Sequence, residues 1–175
     1  MTVLHCPYCH GYEVADGRLG VLAVGELSMQ AMHQALLLPD WSADVTLFTN
    51  SAFTPDAAQL DALATRGVRV EARQVEALVG DPRTEDSPAL TGVRMAGGDI
   101  VTLDALFTTS RTRMASPLAE QLGCAFDEGP SGPVVRTDVR KETTIPGVYA
   151  AGDTARAPIY GRGVDPMVPM RAHEG

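Results

Sequence analysis

The chain has 175 residues, of which 45% are hydrophobic and 5% aromatic, and it carries a net charge of −8 at pH 7. This suits one ordinary domain, or one small domain with part of another, around a proper core. The acidic balance argues against nucleic acid and anionic membranes, which are bound through clustered Lys and Arg, and it reads instead as solubility.

No apolar run approaches the length of a membrane span, and no repeat of solenoid length is present. Met1-Thr2-Val3-Leu4-His5-Cys6 lacks the basic region and long apolar run of a signal peptide. The expectation is a cytoplasmic protein, in a compartment that keeps thiols reduced.

Taken in chain order, residues 1–18 hold a cysteine motif and then a turn at Ala15-Asp16-Gly17-Arg18. Gly20-Val21-Leu22-Ala23-Val24-Gly25 is a short apolar run ending in glycine, which predicts a buried parallel strand. Residues 28–38 predict a helix, with Met29, Met32, Leu36 and Leu37 at helical spacing and Ser28 as its N-cap; Pro39 and Asp40 end it. Asp44-Val45-Thr46-Leu47-Phe48-Thr49-Asn50 predicts a second strand and completes a βαβ unit.

Residues 55–66 predict a second helix, with Leu60 and Leu63 inward and Gly67 as its stop. Val68-Arg69-Val70-Glu71 alternates as a strand does. Residues 75–79, 90–95 and 99–103 predict a small antiparallel meander, with turn chemistry at Gly97-Gly98. Ala105-Leu106-Phe107-Thr108-Thr109 predicts a further strand. The polar, proline-bearing stretch 110–117 predicts a domain crossing, dividing the chain into 1–112 and 113–175. Beyond it, residues 117–122 predict a short helix, Val134-Val135-Arg136-Thr137 a strand, and Thr144-Ile145-Pro146-Gly147 a turn. Val148-Tyr149-Ala150-Ala151-Gly152-Asp153 predicts a small apolar strand ending in Gly-Asp, and residues 156–175 read as loop.

The most informative stretch is His5-Cys6-Pro7-Tyr8-Cys9-His10. Two residues between cysteines let both sulfurs approach bonding range across one turn. His5 and His10 flank the pair, and either imidazole can carry the proton that thiol–disulfide exchange requires. Four readings of the motif stand side by side: a redox dithiol, a zinc half-site completed by Cys124 and a distant His, a c-type haem attachment signal, and two cysteines without a special role. Cys-Pro-Tyr-Cys is also similar to glutaredoxin, where the motif opens a helix after the first strand; here it runs into Gly11 and Asp16-Gly17 and then another strand. Cys124, in Leu122-Gly123-Cys124-Ala125-Phe126, reads as a small core residue, and His33 as a surface or boundary residue.

Taken together, the cysteine segment His5-Cys6-Pro7-Tyr8-Cys9-His10-Gly11-Tyr12-Glu13, the runs Gly20-Val21-Leu22-Ala23, His33-Gln34-Ala35-Leu36 and Val45-Thr46-Leu47-Phe48-Thr49-Asn50, and the late motif Thr144-Ile145-Pro146-Gly147-Val148-Tyr149-Ala150-Ala151-Gly152-Asp153 resemble the low-molecular-weight thioredoxin reductase family. Within it they look most like the branch of gliotoxin- and holomycin-type dithiol oxidases. The resemblance implies an α/β, Rossmann-like FAD/NAD(P)-binding fold of three layers, a parallel sheet plus a small antiparallel meander, followed by a truncated second FAD domain.

It further implies a flavin-dependent enzyme that oxidises dithiols or reduces disulfides through Cys6 and Cys9. Cys6 would attack the substrate sulfur, Cys9 would face the flavin, and His10 would stand where the family carries an acidic proton donor, with His5 beside it. Gly152 and Asp153, with Thr154 next to them, would meet FAD, and the backbone near Val168 would approach the isoalloxazine. The implied partners are a small dithiol or disulfide or a thioredoxin-like protein, and a homodimer is the candidate assembly. No metal is implied.

The departures carry information too. The strand and Gly-rich loop that grip the FAD pyrophosphate do not precede Cys6, so the expectation is a fragment, or a site completed by another chain. The nucleotide loop is degraded: Gly25 is followed by Glu26 and Leu27, and Gln30 holds the third glycine position. Glu26 would repel a pyrophosphate at a helix start, and Thr49-Asn50-Ser51 offers no Arg for a 2′-phosphate. The expectation is weak NADPH binding or none. The rival reading is a catalytically silent fragment or redox-binding module, with a zinc-binding module behind it.

Overall fold

The computed structural model describes residues 2–81, 89–129 and 131–155. They form two compact units that divide between Ser110 and Arg111. In chain order the first unit runs β1 (Val3–Leu4), α1 (Pro7–His10), β2 (Leu19–Leu22), α2 (Ser28–Leu37), β3 (Val45–Phe48), α3 (Ala57–Thr65), β4 (Arg69–Glu71), β5 (Val75–Gly80), β6 (Leu90–Met95), β7 (Ile100–Thr102) and β8 (Ala105–Thr108). Five of these strands make a parallel sheet in the order β1-β8-β2-β3-β4, and β5, β6 and β7 make the antiparallel meander.

The apolar runs of β2, β3 and β8 form strands because both faces of their sheet are covered. Alternate residues supply two different cores. Leu19, Val21, Val45, Leu47, Ala105 and Phe107 pack on one side with Ala31, Met32, Ala35 and Leu38 of the α2 region. Phe48 and Leu106 point the other way and join Leu90, Val93 and Met95 of the meander. Gly20 faces that second core at close quarters: a Cβ there would lie 2.7 Å from Leu103 Cδ1 and 2.8 Å from Leu106 Cδ1.

Two details of these helices differ from the sequence expectation. Ser28 is not the N-cap of α2. Leu27 holds that place, because Gly25, at φ +50, opens a 3-10 turn (Gly25–Leu27) that leads straight into the helix. Leu60 is 44% exposed rather than inward, since Leu63 occupies the buried face of α3. The helix α3 starts at a capping box that joins Asp56 and Gln59.

The second unit holds α4 (Leu118–Gln121) and an antiparallel hairpin of β9 (Phe126–Gly129) and β10 (Gly132–Val135). The expected strand at 148–153 is absent. Tyr149 makes one bridge to Glu142 and Ala155 one to Val135, while Gly152, at φ +68, turns the chain into a 3-10 turn (Gly152–Thr154). Among the described residues no helix is long and apolar enough to cross a membrane.

One ion pair ties the starts of β2 and β8 together. Arg18 donates to both carboxylate oxygens of Asp104, at 2.8 and 2.6 Å, and its backbone N–H adds a third bond at 2.8 Å. The guanidinium holds the Asp104 carboxyl down at about 2. Because the folded value lies below the unfolded one, the pair stabilises fully above about pH 4 and loses that effect as pH falls from there through about 2. Both side chains are about half exposed, so the effect is small. Asp104→Asn should therefore lower the urea midpoint slightly at neutral pH, and the gap from the parent should shrink as the buffer is taken down toward pH 3. Gly20→Val, by contrast, should cost about 1–3 kcal/mol at any pH through overpacking; an unchanged urea midpoint would show that the meander can move aside.

Candidate functional site

The cysteine pair lies at the carboxyl end of β1, on the edge of the parallel sheet, the end of an open α/β sheet at which ligands bind. Cys6 is extended, at φ −124 and ψ 112, and serves as the N-cap of α1. Pro7 fits the first helical position because its ring presets φ and no N–H is required there. One helical turn then carries Cys9 back over Cys6, and Cys9 Sγ lies 2.6 Å from Cys6 Sγ. Cys6 is half-buried and Cys9 exposed. A pair this close can join with little backbone movement.

His5 and His10 stand on either side, their ring centroids 6.3 Å apart at an interplanar angle of 69°. His10 Nδ1 lies 3.3 Å from Glu13 Oε2, a contact that orients the ring. The structure thus brings the two sulfurs together, and the two imidazoles meet edge to face.

Three further residues support the turn without being evident from the motif. Gly11 closes α1 with its N–H on the Pro7 carbonyl at 2.6 Å. A Cβ at Gly11 would sit 2.6 Å from that oxygen and 2.8 Å from the Trp41 ring, so glycine alone lets the indole lie against the backbone. Trp41 also takes Tyr8 edge-on, with centroids 5.6 Å apart. From α2, Gln34 Nε2 donates to the carbonyl of His5 at 2.7 Å. The sequence signal for these contacts was slight: the single tryptophan of the chain, and a glycine directly after the motif.

Gly25 is open, with no heavy atom within 4 Å of a Cβ built there, but Glu26 follows in the same turn. At the end of β3, Asn50 is engaged in the fold: its Nδ2 donates to the Ala23 carbonyl at 3.3 Å and its Oδ1 accepts from Val75 N–H at 2.9 Å. His33 is exposed on α2.

In the second unit, Gly152, Asp153 and Thr154 share one 3-10 turn. Gly152, at φ +68, has open space where a Cβ would be, Asp153 is exposed, and Thr154 Oγ1 donates to the Ala151 carbonyl at 2.9 Å. Thr154 also borders an apolar groove of about 330 Å³, with Leu118, Leu122, Cys124, Val135 and Tyr149 among its walls. Cys124 is buried, its sulfur 3.6 Å from Thr143 Oγ1. Val168 lies outside the described residues. Among the described residues no three His, Cys, Asp or Glu side chains gather as a metal-binding group.

No protein-family model matches the chain. Among curated proteins it is 30% identical over 155 residues to thioredoxin reductase tcpT of Claviceps purpurea, a match that covers 87% of this chain and 46% of that protein. It is 26% identical over 163 residues to thioredoxin reductase sirT of Leptosphaeria maculans, covering 87% and 48%. Among solved structures, an oxidoreductase from Agrobacterium tumefaciens is 43% identical with a TM-score of 0.74, covering 89% of this chain and 48% of that one. HlmI is 37% identical with a TM-score of 0.72, covering 89% and 46%. The chain therefore spans about half the length of the relatives it matches. Over most of its own length, and over about half of theirs, the chain is thus similar in sequence and in fold to thioredoxin reductase-like oxidoreductases.

Proposed function

We propose that Cys6 and Cys9 are the redox pair of a flavin-linked thiol–disulfide oxidoreductase. The observation that carries this is the 2.6 Å approach of the two sulfurs across one helical turn at the open end of the sheet. In the reducing direction one thiolate attacks a substrate disulfide, releasing one substrate thiol and leaving a mixed disulfide. The second cysteine then displaces the other substrate sulfur, so that one disulfide is reduced while the Cys6–Cys9 bond forms and two substrate thiols leave. Oxidation of a dithiol is the same sequence reversed. His10 would carry the exchanged proton, its ring steadied by Glu13 Oε2 at 3.3 Å from Nδ1. The family resemblance gives the attack to Cys6, whereas Cys9 is the more exposed sulfur in this unit, so the two roles are for the variants below to assign.

The residues of the Gly152–Thr154 turn fit FAD. The open Gly152 lets a ligand approach the backbone, and the exposed Asp153 carboxylate can accept from a ribityl hydroxyl, while Thr154 holds the turn through Ala151. FAD, when bound, supplies the two-electron partner for the dithiol. The structure offers NADPH much less, with Glu26 after β2 and Asn50 already engaged. That favours the dithiol-oxidising direction, with a small dithiol or a thioredoxin-like protein as substrate. A second reading, a redox-binding module that holds no flavin by itself, draws on the match to only about half of each relative.

Equilibration of the purified protein with a glutathione couple should yield an intramolecular disulfide, read by mass after alkylation. Cys6→Ser and Cys9→Ser should each abolish it, and the variant that retains the attacking cysteine should accumulate the glutathione adduct. A parent protein that never forms the bond would sink the proposal. For the flavin, FAD added to the protein should stay bound through gel filtration, and Asp153→Asn should weaken it by roughly tenfold, the scale of a lost charge-assisted hydrogen bond. Absence of any bound flavin would favour the module instead.

A further inference from the structure

We infer that Gln34 is a positioning residue for the cysteine pair, acting through the backbone of His5 to set the dithiol–disulfide equilibrium. This rests on the redox reading of Cys6 and Cys9. The strand β1 has two residues, and its register with β8 ends at Leu4 opposite Phe107. The next peptide group, that of His5, lies between the end of this ladder and the single turn of α1. Its carbonyl is where Gln34 Nε2 binds, at 2.7 Å, across 29 positions of sequence. The bond therefore fixes the segment that delivers Cys6 to Cys9.

The setting of Gln34 shows that its amide is not there for packing. The residue is 8% exposed and lies on the buried face of α2 with Ala31, Met32 and Ala35, where an apolar side chain would be the ordinary occupant. Among the described residues, Gln34 Oε1 is buried without a hydrogen-bond partner. A buried orphan acceptor is costly. An aliphatic side chain would avoid that cost but leave the His5 carbonyl without its donor.

The consequence for the redox pair follows from chain entropy. In the disulfide, the covalent ring itself confines the His5–Cys9 segment. In the dithiol, the Gln34 bond does the confining. Loss of the bond frees the dithiol form more than the disulfide form, and so lowers the effective concentration of one thiol at the other.

The test is the equilibrium in which Cys6–SH, Cys9–SH and one oxidised glutathione give the Cys6–Cys9 disulfide and two reduced glutathiones, measured by mass after acid quenching and alkylation. Gln34→Met should lower the equilibrium constant roughly five- to tenfold, a tenfold change being about 30 mV, while its urea midpoint stays level or rises because the orphan acceptor is gone. Gln34→Glu adds a readout that packing alone would not move. Near pH 8 its carboxylate cannot donate to the His5 carbonyl; near pH 5 the buried, protonated carboxyl can. Its deficit against the parent should therefore be present at the higher pH and recover at the lower.

An equilibrium constant for Gln34→Met within about twofold of the parent would overturn the inference, as would a Gln34→Glu deficit independent of pH. Unfolding of both variants would mark Gln34 as purely structural and overturn it too. Failure of the parent itself to form the disulfide is a different result, and would remove the redox reading beneath.

Discussion

A parallel sheet covered on both faces leaves few places for polar side chains, and this constraint organises the first unit. Leu19, Val21, Leu47, Phe48, Leu106 and Phe107 are almost wholly shielded from water, and their alternation sends one set toward α2 and the other toward the meander. The exception proves informative: Thr46 is buried mid-strand, and its hydroxyl is met at 3.0 Å by Arg69 on the neighbouring strand β4. Gly20 belongs to the same constraint, because the second core closes so tightly over β2 that a side chain has no room.

With the sheet interior committed to packing, chemistry is left to the strand ends. The edge strand β1 contributes only two residues to the sheet and then delivers Cys6 into a one-turn helix. A turn this short has little stability of its own. It is held by what surrounds it: Trp41 against Gly11, Tyr8 against Trp41, and Gln34 on the His5 carbonyl. The support comes from residues 34 and 41, well outside the motif that bears the sulfurs. The arrangement keeps one cysteine exposed and the other half-buried, the asymmetry expected of a pair whose members meet different partners.

The second unit shows a different balance. Its hairpin and short helix frame an apolar groove, and the Gly152–Thr154 turn adjoins that groove through Thr154. The turn presents an open glycine and an exposed carboxylate, which suit a hydroxyl-rich ligand. The apolar run from Val148 to Ala151 does not become a strand here: a single bridge, from Tyr149 to Glu142, pairs with it, and Gly152, at φ +68, leads into a 3-10 turn.

Much of this was legible in the residues. The period-two and apolar-run signals of β2, β3, β6 and β8 depend on burial that any covered sheet imposes, and the meander announced itself by its glycine turn. The Cys-x-x-Cys spacing likewise determined that the sulfurs could meet, since one helical turn is a local geometry. What the sequence could not determine was whatever depends on a partner distant in the chain. β1, with two residues, was too short to signal without β8 beside it, and β9, Phe-Asp-Glu-Gly, has no apolar run to mark it without β10. Leu60 looks inward by spacing alone, but Leu63 takes the buried face of its helix. Gln34 reads as an ordinary helix residue until the fold brings it to His5. Local spacing set the chemistry within reach; only the packing of distant segments decided which side chains hold it in place.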